Sequence, residues 1–495
     1  MANMFYRPEW TCGRYNSEHG VAICYNLIEG MSYYFEDDSA EIIGSILSCP
    51  RNGKVDINEI SLETNTDIDC LRAFFDELIS LNLLMPSLPT KEDIMAYREN
   101  VCDFRRSSFH TAEKTTKAKL PVAISTAEMD YTERVGGVTS VMFELTYRCS
   151  EKCVHCYNIG ATRNDEEVSH RADVKELSLN DYKRIIDQLY DQGLIKICLS
   201  GGDPFSCSFV WDIIDYLYHK DIAIDIYTNG QLLINNVQKL AGYYPRNVGV
   251  SIYSGDANIH DAITRINGSW EKSMDVVRQL TELAVITELK CCVMRPNVKS
   301  YWKVAEIAKK YGAVAHFEIS ITDSIEGDKC ASKYLRLTPE MLEVVLRDDN
   351  IPLYVGKEAP NYGGQRKDLN ANACGAGENT FCITPDGDLI PCCAFHLSFG
   401  NLKHHSIKEI LYNNPKLKEW QNLKLSDYEE CGQHDYCDYC NLCAGNNYTE
   451  HGTPLKAGEN NCYLAKIRHG LAYRMKDGCE PLRGMSLVER LNLLI

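Results

Sequence analysis

The sequence predicts an α/β protein centred on a partial (β/α)6 TIM-like barrel, with a small α+β unit before it and a cysteine-rich unit after it. Three observations carry this expectation. From Val141 to about Leu335, strand-like runs alternate with helical ones, as parallel strands joined by right-handed crossovers require. Ahead of them, short strands are followed by helices instead. Behind them, ten of the 23 cysteines crowd between Cys374 and Cys479. The expected boundaries are 1–110 for the first unit, 111–138 for a linker, 139–335 for the barrel, 336–373 for a bridging segment and 374–495 for the cysteine-rich unit.

In the first unit, "GVAICYNL" and "MSYYFED" are β-rich runs separated by the turn-like "IEG". "SAEIIGSILSC" and "DIDCLRAFFDELISLNLLM" follow with apolar residues at helical spacing, and Ser39 and Asp67 are the expected caps. The polar, aperiodic stretch after it reads as a linker, leaving the first unit to fold on its own. The barrel strands are "VMFELT", "IKICLS", "IAIDIYT", "NVGVSIY", "ELKCCVM" and "AHFEISI". A doubly wound sheet would give the same alternation. In a barrel the active site lies at the carboxyl ends of the strands.

Composition narrows the function. The net charge is 52 − 69 = −17, against the basic balance that phosphate neutralisation on nucleic acid demands. No run approaches the ~18 apolar residues of a membrane span, and "MANMFYRPEW" lacks a signal peptide's apolar core, so a cytoplasmic protein is expected. Thiols stay reduced there, and their abundance points to metal or redox chemistry. The scattered cysteines, such as Cys24, Cys70, Cys198 and Cys291, read as small apolar core residues.

The first barrel strand runs directly into "CSEKCVHCYN", with Cys149, Cys153 and Cys156. Three thiolates leave one iron of a [4Fe–4S] cluster open to a further ligand. A zinc site completed by His155 is the alternative on spacing alone. The CxxxCxxC pattern resembles the signature of the radical SAM superfamily. "SGGDPF" after the second strand is similar to that family's GGE motif, with Asp203 where Glu is usual. "TNG" follows the third strand, and Ser251 and Arg265 fall where relatives hold ribose and carboxylate. The resemblance implies S-adenosyl-L-methionine bound by Tyr157, Gly201, Gly202, Asp203, Pro204, Thr228, Asn229, Ser251 and Arg265. It implies a [4Fe–4S] cluster whose electron cleaves the sulfonium to a 5′-deoxyadenosyl radical, which abstracts hydrogen from the substrate.

The second cysteine field opens with "CGAGENTFCITPDGDLIPCC", whose "PDGD" turn brings Cys382 and Cys392 near each other across a hairpin. Cys431, Cys437, Cys440, Cys443 and Cys462 follow, too dense and too long a field for one zinc ribbon. Together with "GNLKHHSIKEI" the order resembles the SPASM extension, which implies two auxiliary [4Fe–4S] clusters. By that resemblance Cys374, Cys392 and a central cysteine hold the first, with Cys382 as a fourth ligand, and the other central cysteines plus Cys462 hold the second. The family order is CxxC, five residues, CxxxC; here the five-residue gap comes first, which leaves the assignment of the central thiols open.

The N-terminal unit resembles the winged-helix-like, PqqD-type domain that reads leader peptides. The three resemblances together imply a maturase of a ribosomally made precursor peptide, supplied with electrons by a flavodoxin or ferredoxin, without nucleic acid or membrane partners. The leading expectation is a thioether crosslink. Carbon–carbon or carbon–oxygen crosslinking, epimerisation and backbone excision stand beside it, as do a sulfatase-maturing type of SPASM dehydrogenase and a non-catalytic iron–sulfur scaffold. The sequence singles out no general base.

Overall fold

The computed structural model describes residues 3–111, 125–158, 175–325, 330–351, 355, 368–372, 374–479 and 482–494. Its strands are β1 (Met4–Tyr6), β2 (Thr11–Asn16), β3 (Val21–Asn26), β4 (Met31–Glu36), β5 (Lys54–Asp56), β6 (Ser140–Glu144), β7 (Lys196–Ser200), β8 (Ala223–Thr228), β9 (Asn247–Ser251), β10 (Thr287–Cys292), β11 (Val314–Glu318), β12 (Thr380–Ile383) and β13 (Leu389–Ile390).

Strands β6 to β11 lie side by side in sequence order, all parallel. A doubly wound sheet reverses its order at a switch point; this one does not, which decides for the barrel. Each strand alternates. Val141 and Phe143, Ile197 and Leu199, Ile224 and Ile226, Val248 and Val250 face the helices and are buried, each contributing about 1.5–3 kcal/mol when fully covered. The intervening residues face the lumen and are polar or sulfur-bearing: Met142, Cys198, Asp225, Tyr227, Lys290. Helices Leu179–Asp191, Val210–His219, Val237–Ala241, Ser269–Glu282 and Lys303–Tyr311 form the outer layer.

The sheet does not end at β6. Strand β12 pairs parallel to it, with Cys382 opposite Met142, and β13 turns back antiparallel. The hairpin read from "PDGD" thus extends the barrel sheet rather than standing apart.

At the amino terminus β2, β3 and β4 form an antiparallel sheet, packed by helices Asp37–Ser48, Ile57–Thr64 and Ile68–Ser80. Asp67 caps its helix by accepting from Asp69 N at 2.9 Å. Ser39 does not: that helix starts at Asp37 without a side-chain cap, and the Ser39 hydroxyl donates to the Glu36 carbonyl at 2.6 Å. Strand β2 escapes a pattern search because Gly13 interrupts it; a Cβ there would meet the Ile23 carbonyl at 2.3 Å, so close pairing demands glycine.

Two expectations need correction. The linker expected at 111–138 carries helix Thr126–Val135, started by a Ser125–Glu128 capping box; its residues 112–124 lie outside the described ones. The first unit is also not a separate folding unit in its packing. Trp10, Cys12, Ile23 and Tyr25 share one apolar core with Tyr131, Ile195, Ala223, Tyr244 and Ala284. Asp221, just before β8, accepts from Arg7 at 2.5 Å and Arg51 at 3.0 Å across the same seam. These barrel residues precede or begin their strands, so the N-terminal sheet sits against the floor of the barrel, opposite its carboxyl rim. Beneath the lumen, burial alone would raise the Glu128 carboxyl, but Arg246 and Lys196 hold it below its usual range. Among the described residues, no helix is long and apolar enough to cross a membrane.

Candidate functional site

Strand β6 delivers the chain at the carboxyl rim, where the loop with Cys149, Cys153 and Cys156 turns back onto its neighbours. Lys152 N and Val154 N donate to the carbonyls of Thr264 and Ile263 at 3.0 and 2.9 Å. Those carbonyls end helix Ala257–Thr264, and Arg265 follows in the left-handed region at φ 59°. The loop is therefore pinned to the element that carries Arg265, whose side chain is exposed.

The glycine pair packs against the same loop from the other side. A Cβ on Gly201 would meet the Thr146 carbonyl at 2.5 Å, and one on Gly202 would meet the Arg148 carbonyl at 2.3 Å. Gly201 also has φ +124°, where only glycine is unstrained. Gly202 N and Asp203 N donate to the Thr146 and Arg148 carbonyls at 2.7 and 3.0 Å. Asp203 is wholly buried: its carboxylate accepts from Thr228 Oγ1 at 2.6 Å, Asn229 N at 2.9 Å and Phe205 N at 3.0 Å. The shorter acid at the Glu position thus clamps the end of β7 to the end of β8. Pro204 starts the short 3-10 turn behind it. Ser251 closes β9 beside Tyr253, whose hydroxyl lies 3.9 Å from Cys153 Sγ.

The three thiols are poor anions by themselves. Burial pushes Cys149 up to about 12, and raises Cys153 and Cys156 as well. Buried thiolates need a cation, and the iron of a cluster would supply it. Around them Glu151 Oε1, His155 Nδ1 and both amide atoms of Asn158 are buried without hydrogen-bond partners, a set of open polar groups that fits a bound polar cofactor. Among the described residues no three His, Cys, Asp or Glu side chains close to the spacing of a single ion; a four-iron cubane spreads its thiolates wider. His155, the alternative zinc ligand, stands edge-on to Tyr253 at 4.6 Å between ring centroids, and burial drives it down to about 4.

Above the rim lies a cavity of about 400 Å³ between the barrel and the C-terminal unit. Tyr157, Cys292, Glu318, Cys393, Cys443 and Asn446 are among its walls. The Tyr157 phenol is pushed well above its ordinary value by burial and donates to Glu144 Oε1 at 3.4 Å. Partial loss of water at the cavity wall likewise raises the Glu318 carboxyl, although its side chain still reaches solvent. Sequence reading missed Glu318, Cys393 and Asn446 as wall residues. The signal for Glu318 was the strand alternation, which puts every second residue into the lumen.

The later cysteines separate into two groups. Cys431, Cys437, Cys440 and Cys462 line one small cavity. Cys374 and Cys443 are instead near enough to Cys392 to raise its thiol after burial and Cys393 have done so. Cys382 is wholly buried in the lumen, near Glu144, Cys393, Cys392 and Cys198.

Residues 143–310 match the model of the radical SAM superfamily, and residues 374–444 that of the SPASM iron–sulfur cluster-binding domain. The antilisterial bacteriocin subtilosin biosynthesis protein AlbA of Bacillus subtilis is 27% identical over 71% of this chain and 73% of its own length. An AdoMet-dependent heme synthase of Methanosarcina barkeri is 26% identical over 62% of this chain and 90% of its own. Among solved structures, Streptococcus suis SuiB bound to precursor peptide SuiA aligns at TM-score 0.53 and 13% identity, over 92% of this chain and 99% of that one. The fold is thus a radical SAM partial barrel followed by a SPASM domain, and the cofactors are S-adenosyl-L-methionine and [4Fe–4S] clusters.

Proposed function

We propose that this chain, a radical SAM enzyme with a SPASM domain, modifies a ribosomally synthesised precursor peptide whose leader it holds on its N-terminal sheet. The supporting observation is strand β4. Among the described residues it pairs with β3 alone, and Phe35 on it meets Phe74 of helix Ile68–Ser80 at 6.0 Å, leaving an apolar floor beside an open edge. A leader adds a strand to such an edge through main-chain hydrogen bonds and sets its side chains on the floor. The N-terminal sheet, with this open edge, is what favours a peptide substrate.

When bound, the cluster and S-adenosyl-L-methionine supply the radical that takes a hydrogen atom. Cys149, Cys153 and Cys156 hold that cluster, Gly201 and Gly202 open the backbone beside it, and Tyr157, Ser251 and Arg265 border the cofactor. Cys374, Cys392 and Cys443, with Cys382 as a fourth ligand, would hold a first auxiliary cluster against the cavity, and Cys431, Cys437, Cys440 and Cys462 a second. Cys443 on the cavity wall would bring the first cluster within reach of a substrate thiol, which favours a thioether. Such a crosslink removes one hydrogen atom from carbon and one proton from the thiol, and the auxiliary cluster would supply the sink for the remaining electron. A cytoplasmic flavodoxin or ferredoxin is the external reductant. Replacing Cys440 and Cys462 together should remove about a third of the bound iron, one of three four-iron clusters, by iron assay of the reconstituted protein.

Because the leader edge is at the barrel floor and the cavity at its rim, the peptide must run the length of the strands. Barrel strands here have five or six residues, so about six extended residues are the least spacer, at ~3.3 Å each.

The test is coexpression with the short reading frame beside the gene, followed by mass spectrometry. Loss of a pair of hydrogens supports crosslinking, whereas an unchanged mass points to epimerisation. Phe74→Ala should weaken leader binding about tenfold by fluorescence anisotropy, ~1.4 kcal/mol, while leaving peptide-free cofactor cleavage intact. Wild-type affinity in that variant would remove the leader site from this edge.

A further inference from the structure

Asn229 touches a cluster cysteine directly. Its Oδ1 accepts from the Gln231 backbone N–H at 3.0 Å. A backbone amide can only donate, so this contact fixes the side-chain amide and turns Nδ2 the other way. Nδ2 then lies 3.3 Å from Cys149 Sγ and 3.2 Å from Ser150 Oγ. The backbone on either side is held as well. Asn229 N donates to Asp203 Oδ2 at 2.9 Å, and the Asn229 carbonyl accepts from Ser273 Oγ at 2.6 Å.

The three sulfurs are not equivalent. Cys149 Sγ meets a second donor, Glu151 N, at 3.4 Å. Cys153 Sγ instead faces the carboxylate oxygen Glu151 Oε2 at 3.4 Å, with the Tyr253 hydroxyl at 3.9 Å. Cys156 Sγ faces the Asn158 carbonyl oxygen at 3.6 Å. Reduction adds negative charge to a cluster and its sulfurs. An N–H aimed at a sulfur stabilises that charge and raises the potential.

We propose that Asn229 is a positioning residue that raises the reduction potential of the cluster on Cys149, Cys153 and Cys156 through an N–H···S bond to Cys149. Asp203 is what holds it there. The shorter carboxylate reaches Asn229 N and Thr228 Oγ1, and so aims the amide at the sulfur. The step concerned is uptake of one electron from the external reductant by the oxidised cluster. The inference rests on the cluster assignment and is independent of which peptide is modified.

The test uses full-length protein, reconstituted anaerobically and titrated with dithionite. The midpoint is read from the electron paramagnetic resonance component that changes on adding S-adenosyl-L-methionine. Asn229→Leu keeps the size and removes the donor; Asn229→Asp replaces it with a charged acceptor. Both should move the midpoint negative with full iron content, Asp further than Leu. For Leu we expect a tenfold weaker hold on the electron, about 59 mV for a one-electron couple. A deuteron exchangeable from solvent should couple to the reduced cluster in wild type and be lost in the Leu variant. An unchanged midpoint at full iron overturns the proposal. Loss of this cluster's iron in both variants also overturns it, because Asn229 is then only a support. Absence of any cofactor-sensitive signal in wild type removes the cluster assignment itself, a failure distinguishable from the other two.

Discussion

Cys156→Ala protein should release no detectable 5′-deoxyadenosine, a loss of at least ~10³-fold in a site whose cofactor carries the chemistry. The same protein should keep about two-thirds of its iron if, as proposed, the SPASM cysteines hold two of three four-iron clusters. The thiol lies 3.6 Å from the Asn158 carbonyl, and no fourth cysteine stands in that loop to replace it. Anaerobic reconstitution, an iron assay and chromatography of the nucleoside products make the measurement. Product formation in this variant would place the reactive cluster elsewhere. Complete loss of iron would remove the auxiliary clusters.

Gly202→Ala should have the next largest effect, through backbone alone. Its Cβ would lie 2.3 Å from the Arg148 carbonyl and 2.6 Å from the Tyr147 carbonyl. Neither is the tip of a flexible side chain, so the Thr146–Cys149 backbone must move or the end of β7 must. Either movement breaks the Gly202 N and Asp203 N bonds to that segment and shifts Cys149. A displacement of about 1 Å at a reacting centre costs on the order of 10²-fold, and we expect cofactor cleavage to fall by that much. Gly136→Ala is the control: no atom lies within 4 Å of its added Cβ, so its cost should be limited to the strain of a left-handed residue. Equal cleavage by wild type and Gly202→Ala would show that the rim tolerates this movement.

Much of the fold could be read because barrel strands alternate buried aliphatic residues with lumen residues. In "IKICLS", Ile197 and Leu199 face helices while Lys196 and Cys198 face inward, and the same beat recurs five more times. What could not be read was pairing between distant segments. Nothing in "TFCI" says that it joins β6, since any short apolar strand would serve. Cys382 therefore looked like a neighbour of Cys392 across a hairpin, which it is, without disclosing that its side chain points into the lumen. The candidate site stands out in the sequence where chemistry fixes spacing, as in Cys149, Cys153 and Cys156. It was illegible where one carboxylate could reach several partners. Only coordinates show Asp203 binding Thr228, Asn229 and Phe205. The central cysteines separate for a similar reason: their grouping follows the turn at Asp435–Tyr439 and its packing on helix Glu459–Lys476, not their order in the chain.

The parallel pairing of β12 with β6 has a consequence for how the molecule is made. Residue 140 waits for residue 380, so during synthesis the amino-terminal half emerges with β6 as an unpaired edge until most of the chain has left the ribosome. Such an edge invites pairing with another chain, and contacts this far apart in sequence slow folding. The loop carrying the first three cysteines hangs from that edge. A fragment ending near residue 335 should accordingly aggregate rather than fold as a barrel.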